Sequence, residues 1–226
     1  MLGALVFSHA SRAILTRHDL QRFPADSLFD RIARVLCEAE CLPRKELFES
    51  WELARRTRRR FRGGRIVDLA CGHGLVAHLM LLLDDTSEVA IAADARLPAS
   101  APQVAEALVR AWPRLGQRVE LRSARIQDVA LAPADVVVAA HACGALTDEI
   151  ITRAIDARAR LAVLPCCHDK ARGDAGGLEG WLDPALAIDA TRAARLRAHG
   201  YRVYTQTISR EISPKNRLLL AEPLQG

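Results

Sequence analysis

Short, near-continuous apolar runs punctuate the chain at 65–70, 88–93, 118–122, 135–140, 160–164, 201–207 and 217–222. Strands covered by helices on both faces must be apolar at almost every position, so these runs predict a largely parallel sheet. Between the first six runs lie stretches long enough for helical crossovers. Val104, Leu108 and Ala111 recur at helical spacing, as do Leu186, Ala190, Ala193 and Leu196. Asp183 followed by Pro184 is a helix start and Gly200 a stop. Only 209–216 separates the last two runs, too little for a crossover, so they are predicted to form an antiparallel hairpin. Upstream, 27–41 and 43–62 read as helices, the second with Leu47, Trp51, Ala54 and Phe61 on one side. The expected architecture is α/β: a seven-stranded, mostly parallel sheet with helices on both faces (63–226), preceded by a helical extension (1–62).

Length and composition narrow the class. The chain has 226 residues, half of them hydrophobic and 26% charged, enough to bury a sizeable core and too apolar for wholesale disorder. No apolar run approaches the roughly 18 residues that span a bilayer. The first ten residues lack a basic flank ahead of their apolar stretch, so they read poorly as a signal peptide, and a cytoplasmic location is expected. Six cysteines, two of them adjacent, fit no secreted framework and are expected as thiols. The net charge of +5 suits an anionic partner, but only three of the 32 basic residues are lysine. That skew is what a GC-rich genome would also produce, so the position of charge matters more than its sum.

Chemistry enters at the first strand. The run Val67-Asp68-Leu69-Ala70-Cys71-Gly72-His73-Gly74 joins it to a helix predicted over 75–83. Gly72 and Gly74 permit backbone dihedrals other residues avoid, and a helix amino terminus offers unpaired N–H groups to a ligand. Asp94 closes the second strand, twenty residues beyond Gly74, where a carboxylate can accept both hydroxyls of a ribose. Gly72-His73-Gly74-Leu75-Val76-Ala77 also satisfies the dinucleotide pattern G-x-G-x-x-A, which leaves an NAD-linked oxidoreductase as an alternative. Against it, Asp68 near the strand end would repel a pyrophosphate and favour a sulfonium bearing an ammonium group.

This constellation resembles the class I S-adenosylmethionine-dependent methyltransferases, which have a Rossmann-like sheet and a first motif of apolar strand, acid and small-x-Gly-x-Gly turn. Ala70 stands where glycine is usual. The resemblance implies S-adenosyl-L-methionine as cofactor and Asp68 as holder of its methionine end. Gly72 and Gly74 would allow close approach, and Asp94 would bind the ribose. Asp128, after the third strand, would lie near the adenine amino group. Ala70, Cys71, Ala95 and His141 complete the expected cofactor site.

Ligands of a parallel sheet bind outside the carboxyl ends of its strands. After the fourth run comes His141-Ala142-Cys143-Gly144-Ala145-Leu146-Thr147-Asp148, and after the fifth Pro165-Cys166-Cys167-His168-Asp169-Lys170. The pair resembles a methyltransferase-domain family marked by His-x-Cys-Gly-x-x-Thr-Asp and Pro-Cys-Cys-His segments, which includes the tRNA acceptor-stem 2′-O-methyltransferase. Methyl transfer is an in-line displacement that mostly needs alignment, with a base only where the acceptor proton is tightly held. His168, Asp169, Lys170 and His141 are the candidates, His168 first because imidazole titrates near neutrality. The alternative for His168 is a loop-shaping hydrogen bond. A zinc site from His141, Cys143, Cys166, Cys167 and His168 is disfavoured, because adjacent cysteines cannot readily face one tetrahedral centre; no metal is expected.

Seven arginines fall within 55–65: Arg55, Arg56, Arg58, Arg59, Arg60, Arg62 and Arg65. Such density could grip a phosphate backbone or simply form a solvated helix end. Lys215-Asn216-Arg217 lies in the turn between the last two strands, at the expected ligand edge. The glycine-rich stretch 171–180 is a potential lid, with Trp181 beside it for stacking. RNA, as tRNA or rRNA, is the expected substrate. A small-molecule acceptor, or a non-catalytic cofactor- or RNA-binding module, is the alternative.

Overall fold

A computed structural model describes residues 7–140, 142–165 and 167–224. Two helices, α1 (Leu28–Ala39) and α2 (Arg44–Arg60), precede the sheet. Then follow β1 (Ile66–Leu69), α3 (Leu75–Leu83), β2 (Ala90–Asp94), α4 (Ala101–Ala111), β3 (Val119–Ser123), β4 (Val136–Ala139), α5 (Ala145–Asp156), β5 (Arg160–Val163), α6 (Pro184–Ala198), β6 (Tyr201–Thr207) and β7 (Arg217–Pro223).

The strands form one seven-stranded sheet in the order β3-β2-β1-β4-β5-β7-β6. Only β7 runs antiparallel, pairing Leu161 with Ala221 on one side and Val203 with Ala221 on the other. This is the expected sheet. The central strands β1 and β4 are buried at every position. The edge strand β3 is covered on one side only, which is why Glu120 and Arg122 are tolerated within it.

Helix starts and stops follow local chemistry. Ser27 caps α1 by accepting from the Asp30 amide, and Asp183 caps α6 by accepting from Ala185 and Leu186. Gly200 takes a φ of +75° just past α6, the left-handed conformation that ends a helix. The helical extension packs against one face of the sheet: Leu36, Leu47 and Leu53 belong to the same apolar cluster as Ile66, Leu79 and Val138. Among the described residues no helix is long and apolar enough to cross a membrane.

Candidate active site

The turn after β1 is built by three residues at positive φ. Ala70 (+54°), Gly72 (+55°) and Gly74 (+71°) fold the chain back so that α3 starts directly over the strand end. Ala70 therefore bears strain of order 1 kcal/mol where a glycine would not. Gly74 serves packing: a Cβ there would lie 2.7 Å from Leu121 Cδ2 and 3.2 Å from Ala92 Cβ. Its missing side chain lets α3 approach β2 and β3. Packing is thus one reason for glycine here.

Carboxylates surround this turn. Asp68 is wholly buried; its Oδ2 accepts from the Ala77 amide at 3.3 Å, while Oδ1 has no hydrogen-bond partner. Burial, and then the nearby charges of Glu46 and Asp94, push the Asp68 carboxyl well above the usual range. Asp94 accepts from the Gly72 amide at 3.1 Å and the Arg96 amide at 2.9 Å, so it fixes the turn and retains lone pairs for a ribose. Ala95 and Asp128 are exposed near the ends of β2 and β3. Cys71 is buried, and its thiol is pushed up by burial and then by Asp68 and Asp94.

A residue the sequence reading missed completes this side. Glu46, in the first turn of α2, meets His73 Nδ1 at 2.8 Å, and His73 Nε2 lies 3.0 Å from Ser100 Oγ ahead of α4. Both Glu46 and His73 are buried. The signal available in sequence was a lone acid on a helix 27 residues upstream, without any spacing that marks a partner.

At the ends of β4 and β5 the picture is different. His168 is buried as a side chain, 3% exposed, with Nε2 2.8 Å from Asp189 Oδ1. Asp189 also accepts from Arg192 at 3.1 Å and Arg217 at 2.7 Å, and Arg192 grips Asp148 through two bonds of 2.7 Å. Burial raises the Asp189 carboxyl, but the hydrogen bonds from His168 and Arg217 outweigh it and hold the group below its ordinary value. His168 is thereby tied to Asp189 of α6. Asp169 accepts from the Ala171 and Arg172 amides and closes a turn, while Lys170 is exposed and 3.9 Å from Asp183. The first strand-side candidate, His141, lies outside the described residues, as does Cys166. Among the described residues no three potential ligands gather to hold a metal.

The arginine stretch spreads along the second half of α2, where Arg56 donates to Gln206 of β6 at 2.9 Å. Helix α2 enters at the glycine turn and runs back toward the start of β1, about 25 Å by helical rise, so its arginine-rich end reaches the amino edge of the sheet. Most of the arginines have partners within the protein. Arg55 and Arg56 each reach Glu52 at 2.8 Å; Arg58, buried, and Arg62 both pair with Asp84, at 3.3 and 3.4 Å. Arg60 covers the Tyr204 ring and Arg65 pairs with Asp135 at 2.7 Å. The glycine-rich stretch packs on α6 through Ala175 and Ile188, leaving Trp181 87% exposed.

Where the ligand edge is open, a basin of ≈ 470 Å³ is lined by residues that include Arg12, Lys45, Glu46, Cys143, Cys167 and Lys215. Lys45 lies 3.2 Å from Glu49, and Lys215 Nζ 3.4 Å from Cys167 Sγ. The turn between β6 and β7 thus reaches the site, as its position in the sheet requires.

Residues 46–174 match a family model described as a methyltransferase domain, and the chain belongs to that family. It is a methyltransferase, and family and fold together imply S-adenosylmethionine as its methyl donor, so the dinucleotide alternative falls. Among solved structures it is similar to an O-methyltransferase family protein from Burkholderia thailandensis, with 20% identity and a TM-score of 0.54 over 100% of this chain and 68% of that one. The B. subtilis m1A22 tRNA methyltransferase TrmK is similar at 17% identity and TM-score 0.50, over 77% of this chain and 66% of that one. The mitomycin 7-O-methyltransferase MmcR shares 16% identity at TM-score 0.51, over 92% of this chain and 61% of that one. At such identities the likeness is one of fold. No curated protein matches the sequence.

The residues present fit the implied cofactor. Asp68 Oδ1, buried without a donor, and Asp94, whose lone pairs two amides do not exhaust, present hydrogen-bond acceptors around one turn to the hydroxyl and ammonium donors of such a group.

Proposed function

We propose that the chain methylates RNA, tRNA or rRNA, with the acceptor nucleotide seated in the basin between the glycine turn and the β6–β7 turn. The observation that carries this reading is that Arg12, Lys45 and Lys215, from three separate segments, border one open basin at the carboxyl edge of the sheet. Cations placed there can hold the phosphates that flank an acceptor nucleotide. The arginine stretch has no part in this grip.

In this reading Asp94 holds the ribose of the cofactor, Gly72 lets the turn approach it, and Asp128 lies beside the adenine. Bound S-adenosylmethionine supplies an electrophilic methyl group on a sulfonium. The protein's own work is to align the acceptor with that methyl and exclude competing water. His168 orders the loop after β5 through Asp189, so the acceptor atom is positioned by a rigid wall.

A small-molecule acceptor is the second reading, favoured by a basin volume within the usual range for such ligands. Incubation with tritiated S-adenosylmethionine and separated RNA, protein and metabolite pools decides between them. Label in RNA is expected; label confined to metabolites would establish the second reading.

A further inference from the structure

The loops that follow β4 and β5 each bring a cysteine to the open basin, Cys143 just ahead of α5 and Cys167 beyond the end of β5. Both are reduced and exposed, whereas Cys37, Cys41 and Cys71 are buried in the apolar core. The sheet sets their alignment. Strands β4 and β5 pair in parallel, Val136 opposite Arg160 and Ala139 opposite Val163; carried past the strand ends, the same register sets Cys143 opposite Cys167. Two backbone bonds keep that register: the Leu164 amide donates to the Ala139 carbonyl at 3.0 Å and the Gly144 amide to the Cys167 carbonyl at 2.9 Å. Facing residues of a parallel pair stand roughly 5 Å apart at Cα, within the ~4.4–6.8 Å that a disulfide bridges.

A third segment supplies charge at the sulfur. Lys215, in the turn between β6 and β7, sets its Nζ 3.4 Å from Cys167 Sγ. An ammonium beside a sulfur favours the thiolate, which is the form that attacks a disulfide. The acids that also border the basin are engaged elsewhere: Glu49 faces Lys45 at 3.2 Å and Glu46 faces His73 at 2.8 Å.

We propose that Cys143 and Cys167 are a thiol pair that a low-molecular-weight disulfide of the glutathione class converts reversibly to an intramolecular disulfide across one wall of the basin. The Cys167 thiolate attacks one sulfur of the small disulfide. That S–S bond breaks, the departing small thiolate takes up the proton Cys167 gave, and a mixed disulfide stands on Cys167. Cys143 then gives up its proton and attacks Cys167 Sγ, expelling the second small thiolate, which ends with that proton. Two protein thiols are oxidised and one small disulfide is reduced to two thiols. The new bond ties the loop ahead of α5 to the loop after β5, so oxidation narrows the basin. No step uses the methyl donor or the acceptor, so this inference and the proposed function stand or fall separately.

The test exposes the full chain, reduced and then freed of reductant, to oxidised glutathione and follows intact mass and non-reducing peptide maps. Wild type is expected to lose the mass of two hydrogens and keep no glutathionyl group, to yield a fragment joining Cys143 to Cys167, and to return to its starting mass with dithiothreitol. Cys143→Ser should stop at a mixed disulfide on Cys167, and Cys167→Ser should form no intramolecular bond. Adding Lys215→Gln to Cys143→Ser should slow formation of the mixed disulfide by at least about threefold, because less thiolate stands ready. Wild type that stays reduced, wild type that carries glutathionyl groups without closing the bond, or a mapped bond to Cys166 instead of Cys167 would overturn the pairing. An unchanged rate with Lys215→Gln would overturn Cys167 as the attacking thiol.

Discussion

The two halves of the sheet's carboxyl edge treat buried charge in opposite ways. Beyond β5, Asp148 and Asp189 are matched by Arg192, Arg217 and His168 at 2.7 to 3.1 Å. Beyond β1 and β2, Glu46, Asp68 and Asp94 crowd one turn, and Asp68 Oδ1 goes without a donor. A charge network that closes on itself is scaffold. One that leaves a buried acceptor without a donor, as at Asp68 Oδ1, is where a ligand can supply the missing hydrogen bond.

Breaking the turn should have the largest effect. Gly74→Ala combines a φ of +71° with a Cβ 2.7 Å from Leu121, and should cost about 2–4 kcal/mol of stability in denaturant unfolding. Next comes the closed network. Arg192→Ala strands Asp148 and takes one donor from Asp189, which keeps His168 and Arg217, and because Asp148 is partly solvated the loss should be nearer about 2–3 kcal/mol.

The surplus side should respond with the opposite sign. Asp68→Asn removes a poorly solvated acid and should stabilise the cofactor-free protein by about 1 kcal/mol in thermal unfolding, while weakening affinity for S-adenosylhomocysteine.

The pH dependence sharpens the contrast. Asp189 has its folded value depressed, so the stability it contributes is present above the ordinary carboxylate range and is lost as pH falls through the depressed value. Asp68 has its folded value raised, so its contribution falls as pH climbs from the ordinary carboxylate range toward the raised value. Unfolding free energies from pH 3 upward should therefore show a shallower decline with rising pH in Asp68→Asn than in wild type. An identical profile would mean that Asp68 ionises normally in the folded chain.

The smallest effect is a null one. Replacing Arg59 and Arg60 by Ser should leave the salt dependence of RNA binding unchanged, whereas replacing Lys45 and Lys215 should flatten it by about one to two units of slope in a filter-binding series. A slope that follows the arginines would return RNA recognition to the amino edge of the sheet.

These contrasts also mark what the sequence could reveal. The strands were legible because burial on both faces leaves long apolar runs such as Val136–Ala139, and the final hairpin because 209–216 cannot hold a crossover. The turn at Cys71–Gly74 and the acid at Asp94 were legible because their spacing is fixed by one βαβ unit. Partnership between distant segments was not. Nothing local in the sequence of α2 says that Glu46 meets His73, or that Asp189 claims His168. The partners of the arginines were hidden for the same reason: the counter-charges Asp84 and Asp135 lie far along the chain.

The proposal on which the functional reading depends is that the turn after β1, with Asp94 at its side, cradles S-adenosylmethionine. Its most direct test is calorimetric titration of that compound into wild type and Asp94→Ala. A saturable single-site isotherm in wild type, weakened at least about tenfold in the folded variant, is the predicted result. Equal affinity in the two proteins, or no heat in wild type, would contradict it.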